Sequence, residues 1–331
     1  HTFVFRKDLF DKAGVSIPET TDELYLAAKK IKQILNITPI TTSPSWTAGF
    51  FWLNPIFYAF GGAWDSWVKD KGMWVPCWIS EGNKKALIYM NRLYAEGLLD
   101  TEFFANNDGD KLDKFYNGEA AIIMHGGYDQ VVREMKNRDR SVKIPYAVVL
   151  RGPDGKAGIH KMPFFTATSV NGSLKGDKLN KTLRLLDYLY SEDGRTLMRF
   201  GVEGVHYAVD GGEHKPLLPL NDDGLVSLLS QQDATASIRM MTELSGWYPP
   251  WQPYRSELID ILEKVKEYGQ FDPFAFDKRA KQREFPDALY DLVLKEHIKL
   301  VQSNNFNDDW ISYKEKYLAN GGSEMIEERN Q

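Results

Sequence analysis

Cysteine is almost absent: Cys77 stands alone in 331 residues, which excludes a disulfide framework or a cysteine metal cluster within the chain. Positive charge is not in excess either. Lys and Arg number 41 against 46 Asp and Glu, for a net charge of -5, and the short basic run at 278–284 reads as a solvated helix surface. A nucleic acid partner, which needs a basic face for its phosphates, is therefore not expected. No apolar run is long enough to cross a bilayer. The six histidines have no metal-type spacing among themselves. A Gly-x-Ser-x-Gly elbow, a phosphate-binding glycine loop and a reactive cysteine context are all missing, and no spacing nominates a pair of carboxylates for glycoside hydrolysis. Repeats and low-complexity linkers are missing too. What remains is an ordinary globular composition, long enough for two domains.

The most informative stretch that is present runs from Phe115 to Tyr128. An amphipathic helix ends at Asn117-Gly118, a pair that tolerates positive φ, and the apolar run that follows reads as a buried strand. Gly126 and Gly127 let the backbone approach another group closely. They place the ring of Tyr128 at the strand end, where open α/β sheets bind ligands. A glycine-softened turn followed by a core tyrosine is the other reading of the same residues. The chain opens on His1, and Thr2–Phe5 already reads as a strand entering a helix, so upstream sequence, including any signal peptide, is expected to precede it.

Lys7–Lys12 predicts a short helix stopped by Gly14. Thr20 or Thr21, with Glu23, suggests a capping box before a helix to about Ile34. Ile37–Ile40 reads as strand-like, Asn54–Gly62 as a helix ending at glycine, and Gly82–Glu96 has helical apolar spacing. Further on, Tyr146–Leu150 and Phe164–Val170 read as strands, Gly152–Gly155 as a turn, and Leu179–Leu189 and Ser191–Phe200 as helices. From Leu225 the pattern is mostly helical. Strands alternating with longer helices imply an α/β architecture, and without one Pro/Gly-rich linker any two lobes are joined by several crossovers.

Four segments, in order, resemble the extracellular solute-binding proteins of family 1, the carbohydrate-capturing subunits of bacterial ABC importers. They are Phe5–Gly14 with Pro18–Leu24, Leu93–Asp100, Phe115–Tyr128, and Leu186–Gly194 with Gly201–Tyr207. The resemblance implies a periplasmic-binding-protein-like α/β fold of two lobes joined by a hinge, with a helix-rich C-terminal part, closing on its ligand. It implies that 1–160 is the first segment of lobe two and 161–212 a return segment of lobe one, with most of lobe one lacking. Residues 213–331 would be the helical part completing lobe two and the interlobe contacts. It implies a non-enzymatic subunit that delivers an oligosaccharide to a membrane permease. That subunit would be monomeric and lipid-anchored on the outer face of the cytoplasmic membrane. Many members of this branch carry an Asp/Asn-rich calcium loop before the position of Thr41. Leu35–Thr38 stands there instead, and no metal or cofactor is expected.

Sugars present apolar C–H faces ringed by hydroxyls, so their sites pair aromatic platforms with carboxylates and amides. Trp46 and Tyr128 are candidate ligand-binding residues by family position, and so is Tyr207. Trp247 and Trp251 qualify as rings held on a loop by Pro249-Pro250. Glu203 is a candidate acceptor for sugar hydroxyls, or a structural helix-end carboxylate. Trp64, Trp67, Trp74 and Trp78 are read as packing residues, His125 as ligand-facing or structural, and Asn106–Asp110 as an N-cap before the Leu112 helix, since the alternation of a calcium loop is missing. The alternative from another class is a polysaccharide-degrading glycoside hydrolase or lyase, which also uses aromatic platforms.

Overall fold

The computed structural model describes residues 2–44, 49–64, 66–126, 128–138, 146–160, 169–217, 255–274, 277, 279–284 and 286–331. Its contacts divide the chain into two compact units, one of His1–Lys161 with Lys264–Gln331, the other Met162–Glu263.

In the first unit the central element is β1 (Thr2–Phe5), buried at every position. It lies between β4 (Ile122–His125) and β5 (Tyr146–Val148), antiparallel to both. Phe3 and Phe5 stack on one face of this strand, and Phe10 of α1 (Lys7–Ala13) meets Phe5 edge-on. Gly14 ends α1 in the left-handed conformation that the sequence implied. Helix α2 (Thr21–Leu35) is capped by the Thr20 hydroxyl, which accepts from the Glu23 amide. The reciprocal half of the expected capping box is displaced by one residue, because the Glu23 carboxylate accepts from the amide of Glu19 rather than of Thr20.

Ile37–Ile40 does not form the strand its composition suggests. Ile40 alone bridges Leu99 and Ile122, both in parallel, since the next residues turn their polar groups to side-chain partners. After α3 (Asn54–Ala59) come the hairpin β2 (Trp67–Asp70) and β3 (Met73–Pro76), and α4 (Glu81–Ala95). The helices Pro286–Gln302 and Phe306–Tyr317 bring His297, Tyr313 and Tyr317 into this unit. Trp64, Trp67 and Trp78 are buried and Trp74 packs against the same core. Two short strands, β6 (Ile159–His160) and β9 (Gly269–Gln270), pair in parallel. In the second unit, α7 (Gly176–Tyr190) and α8 (Glu192–Phe200) meet at Ser191, the N-cap of α8, and a hairpin of β7 (Tyr207–Asp210) and β8 (Glu213–Pro216) follows. The strand expected over Phe164–Val170 lies largely outside the described residues. Among those described, no helix is long and apolar enough to cross a membrane.

His297 sits in the aromatic core beside Phe50, Trp64 and Tyr313. Its Nε2 bonds the Trp78 carbonyl at 3.2 Å, and a carbonyl can only accept, so the ring carries a proton at Nε2. Burial pushes its pKa from 6.5 down to about 3, against the smaller opposing effect of that hydrogen bond. Below pH 6.5 the unfolded chain takes up a proton that the folded chain refuses. Stability is therefore complete above that pH and is lost as the pH falls, by about 1.4 kcal/mol per unit for one such group. In urea denaturation, His297→Phe is expected to shrink the stability difference between pH 7 and pH 5 by about 2 kcal/mol relative to the parent chain.

Candidate functional site

The site lies where β4 ends. Thr2 pairs with His125 in the ladder, and Thr41 donates its amide to the Ile122 carbonyl, so the 40–43 segment runs along the same strand. Thr41, Thr42 and Ser43 are buried. They are fastened by Asp100, whose Oδ2 accepts from Thr41 Oγ1, Asn106 Nδ2 and Lys114 Nζ, each at 2.8 Å. Asn106 also donates to the Thr42 carbonyl at 3.0 Å. Burial acts to raise the Asp100 pKa, but Lys114, Asn106 and Thr41 outweigh it and hold the carboxyl below its ordinary value.

Helix α5 (Asp108–Tyr116) starts beside this segment. Asn107 and Asp110 form a full capping box, as the reading of 106–110 as an N-cap anticipated. Three residues into the helix, on the stripe shared with Phe115, the chain buries a lysine. Lys111 has no exposed side-chain surface and pairs with Asp108 Oδ1 at 3.2 Å, while the Asp108 side chain is 47% exposed. The same oxygen accepts from Ser43 Oγ at 2.8 Å. The Lys111 ammonium lies 4.2 Å from the centre of the Trp52 ring, and His125 stacks on that indole at 4.9 Å and 27°.

Burial lowers the Lys111 pKa to about 8, with Asp108 opposing. Burial first, and the Lys111 charge second, lower His125 to about 4. For Asp108 burial works upward, but the charge of Lys111 and the Ser43 hydrogen bond prevail and keep it ionised. At neutral pH the strand end thus holds a fixed carboxylate, a buried cation, an uncharged imidazole and an indole face. Such a group can bind polar molecules.

The sequence-predicted residues fall in different places. Tyr128 is not the last residue of the strand: two residues separate it from His125, and it opens helix α6 (Tyr128–Arg138), where its backbone is described and its side chain is not. Trp46, Trp247 and Trp251 lie outside the described residues. Glu203 and Tyr207 belong to the second unit and are joined by a backbone bridge. Glu203 is exposed, whereas Tyr207 is 6% exposed with its ring against Phe200 and His214. Burial, with the nearby Glu203 charge second, raises the Tyr207 pKa.

Ser43, Trp52 and Lys111 were not singled out from the sequence, and Asp108 only as part of a helix start. One signal was available: Lys111 and Phe115 are four apart on one helix face, and a charged residue on an apolar stripe needs a partner. Among the described residues no group of three or more His, Cys, Asp or Glu could hold a metal ion. A separate open cavity of about 630 Å³, bordered by Tyr58, Trp67, Lys156, Gln270 and Phe271, includes none of the predicted site residues.

The chain belongs to the bacterial extracellular solute-binding protein family, whose sequence profile it matches over residues 2–196. That is a family of binders rather than catalysts, which sets aside the hydrolase or lyase alternative. Among its relatives is the polygalacturonan/rhamnogalacturonan-binding protein YtcQ of Bacillus subtilis, 25% identical over 340 residues, covering 98% of this chain and 66% of that protein. Lipoprotein LipO of the same organism is 23% identical over 348 residues, covering 99% and 67%. The chain therefore spans about two thirds of the length of these curated relatives. Among solved structures, the alginate-binding protein AlgQ2 without calcium ion aligns with a TM-score of 0.66 at 16% identity, covering 100% of this chain and 71% of that one. The S. pneumoniae ABC-transporter substrate binding protein FusA in complex with kestose aligns at 0.63 and 19%, covering 99% and 70%. The fold is thus periplasmic-binding-protein-like, with a large helical content and small sheets.

The Lys111–Asp108 pair can be tested by melting. Asp108→Ala strands a buried ammonium and is expected to cost about 1–3 kcal/mol, as for an orphaned buried donor. Lys111→Met fills the same volume without a charge, and its melting temperature is expected to equal or exceed that of the parent chain.

Proposed function

We propose that this chain is part of a substrate-binding protein of a carbohydrate ABC importer, which captures one oligosaccharide per monomer and hands it to a membrane permease. The observation that carries the proposal is that the family match, residues 2–196, spans the segments that build the end of β4. That strand end offers the indole, imidazole and carboxylate that sugar recognition requires. The names of the similar proteins agree in kind: YtcQ is named for polygalacturonan and rhamnogalacturonan, and FusA was solved with kestose. Oligosaccharide is the class they share.

In this reading the oligosaccharide is captured in an aromatic-lined cleft between two hinged lobes. Tyr128, the first residue of α6, is proposed as a stacking platform and Trp46 as a second one. Trp247, Trp251, Glu203 and Tyr207 are proposed as further lining. The protein works outside the cytoplasm, held to the outer face of the membrane by an N-terminal lipid as the name of LipO suggests for that relative.

Calorimetric titration against a glycan panel tests the reading, and tight binding of peptides or amino acids with no glycan bound would overturn it. A platform ring is covered only when ligand is present, so Tyr128→Ala is expected to weaken binding about tenfold while leaving the melting temperature nearly unchanged. Metabolic labelling of the native gene product with a fatty acid is expected to mark it in the membrane fraction; an unlabelled, cytoplasmic product would defeat the proposed location.

A further inference from the structure

We propose that Asp108 and His125 form a hydroxyl-reading subsite that accepts an uncharged sugar unit and rejects a uronate. The inference rests on the solute-binding reading above and adds which class of sugar the end of β4 selects.

Its first support is the asymmetry of the ion pair. The ammonium of Lys111 is wholly buried, and the carboxylate of Asp108 is half exposed, so an arriving molecule meets the anion and not the cation. Both bonds to this carboxylate from the described residues, from Ser43 Oγ and Lys111 Nζ, fall on Oδ1. They fix the plane of the group and leave Oδ2 as an acceptor. A second carboxylate brought against Oδ2 meets a like charge at close range, and like charges held together in a half-buried setting repel.

The second support is an orphaned polar atom. His125 is 8% exposed, and its Nδ1 has no hydrogen-bond partner. Buried polar atoms are almost always paired, so an unpaired one beside a binding surface marks a place for a group that the free chain lacks. An uncharged imidazole has one N–H and one bare nitrogen. A sugar hydroxyl, which both donates and accepts, complements a bare nitrogen and a carboxylate oxygen equally well. Burial and the nearby Lys111 charge keep this ring uncharged at neutral pH. Trp52 holds the cluster rigid, since it contacts both the ammonium and the imidazole. Rigid acceptors recognise hydroxyls without an ordering cost on binding.

The test is calorimetry on the 331-residue protein with two probes of equal length, galactotriose and trigalacturonate, against the parent chain and two variants. The parent is expected to bind the neutral probe at least tenfold tighter. Asp108→Asn is expected to weaken the neutral probe at least tenfold and to narrow the preference, because the anionic acceptor is gone and the repulsion with it. Should Asp108→Asn fold poorly with Lys111 unpaired, the double variant Asp108→Asn/Lys111→Met removes both charges; it is expected to melt near the parent and to show the same loss. Equal or tighter binding of trigalacturonate by the parent overturns the inference, as does unchanged neutral binding in both variants. Each of those results leaves oligosaccharide binding itself standing. A folded parent that binds no member of a wider glycan panel defeats the underlying function, and the subsite with it.

Discussion

Everything at the site hangs on the pairing of Thr2–Phe5 with Ile122–His125. The two segments are far apart in sequence, and joining them requires closing most of the first unit's chain between them, which only extensive burial can offset. The burial is there: β1 and β4 are covered at every position, and helices contribute Phe10, Leu24 and Phe115 to the same interior. Once β4 is held, His125 has a fixed position, and residues 41–43 are carried alongside by the amide of Thr41. A strand end built in this way is rigid before any ligand arrives.

Charge then does what apolar packing cannot. Asp100 is buried and Asp108 about half exposed, and each is kept ionised by a lysine of α5 and by a hydroxyl from the 41–43 segment. Two parallel sets of bonds, Lys114–Asp100–Thr41 and Lys111–Asp108–Ser43, tie helix α5 to that segment. The arrangement costs desolvation at Lys111 and repays it in geometry: carboxylate oxygens held in one orientation discriminate between ligands better than mobile ones. Family membership gives the kind of task, the binding of a solute.

Legibility followed the range of the interactions. Helices α1, α2, α4 and α8 were readable to within a residue or two, and α7 to within three, because caps, glycine stops and helical spacing act over a few positions. The run into Ile122–His125 was readable because the five consecutive apolar residues Ala120–Met124 have few other uses. Less was legible where partners come from elsewhere. Ile37–Ile40 has strand composition, yet its continuation is claimed by Asp100 and Asn106, and only Ile40 bridges. Tyr128 was assigned to the strand end by adjacency, whereas the strand stops at His125 and Tyr128 opens α6. Asp108 was recognised as part of a helix start but not as the partner of a buried lysine, since neither Ser43 nor Trp52 is near it in sequence.

The sequence by itself determined the family, the local elements and the chemical repertoire: these depend on composition, spacing and the order of short segments, all of which are one-dimensional. The tertiary structure decided which of the many polar residues became a site. An aspartate at a helix start is ordinarily solvated. It becomes a fixed acceptor here only because Lys111 is driven inward with the Phe115 face of its helix, and because β1 draws His125 and Ser43 to the same place. Burial sets the pKa of His125 and Lys111, and burial is a property of the assembled fold that no window of residues contains.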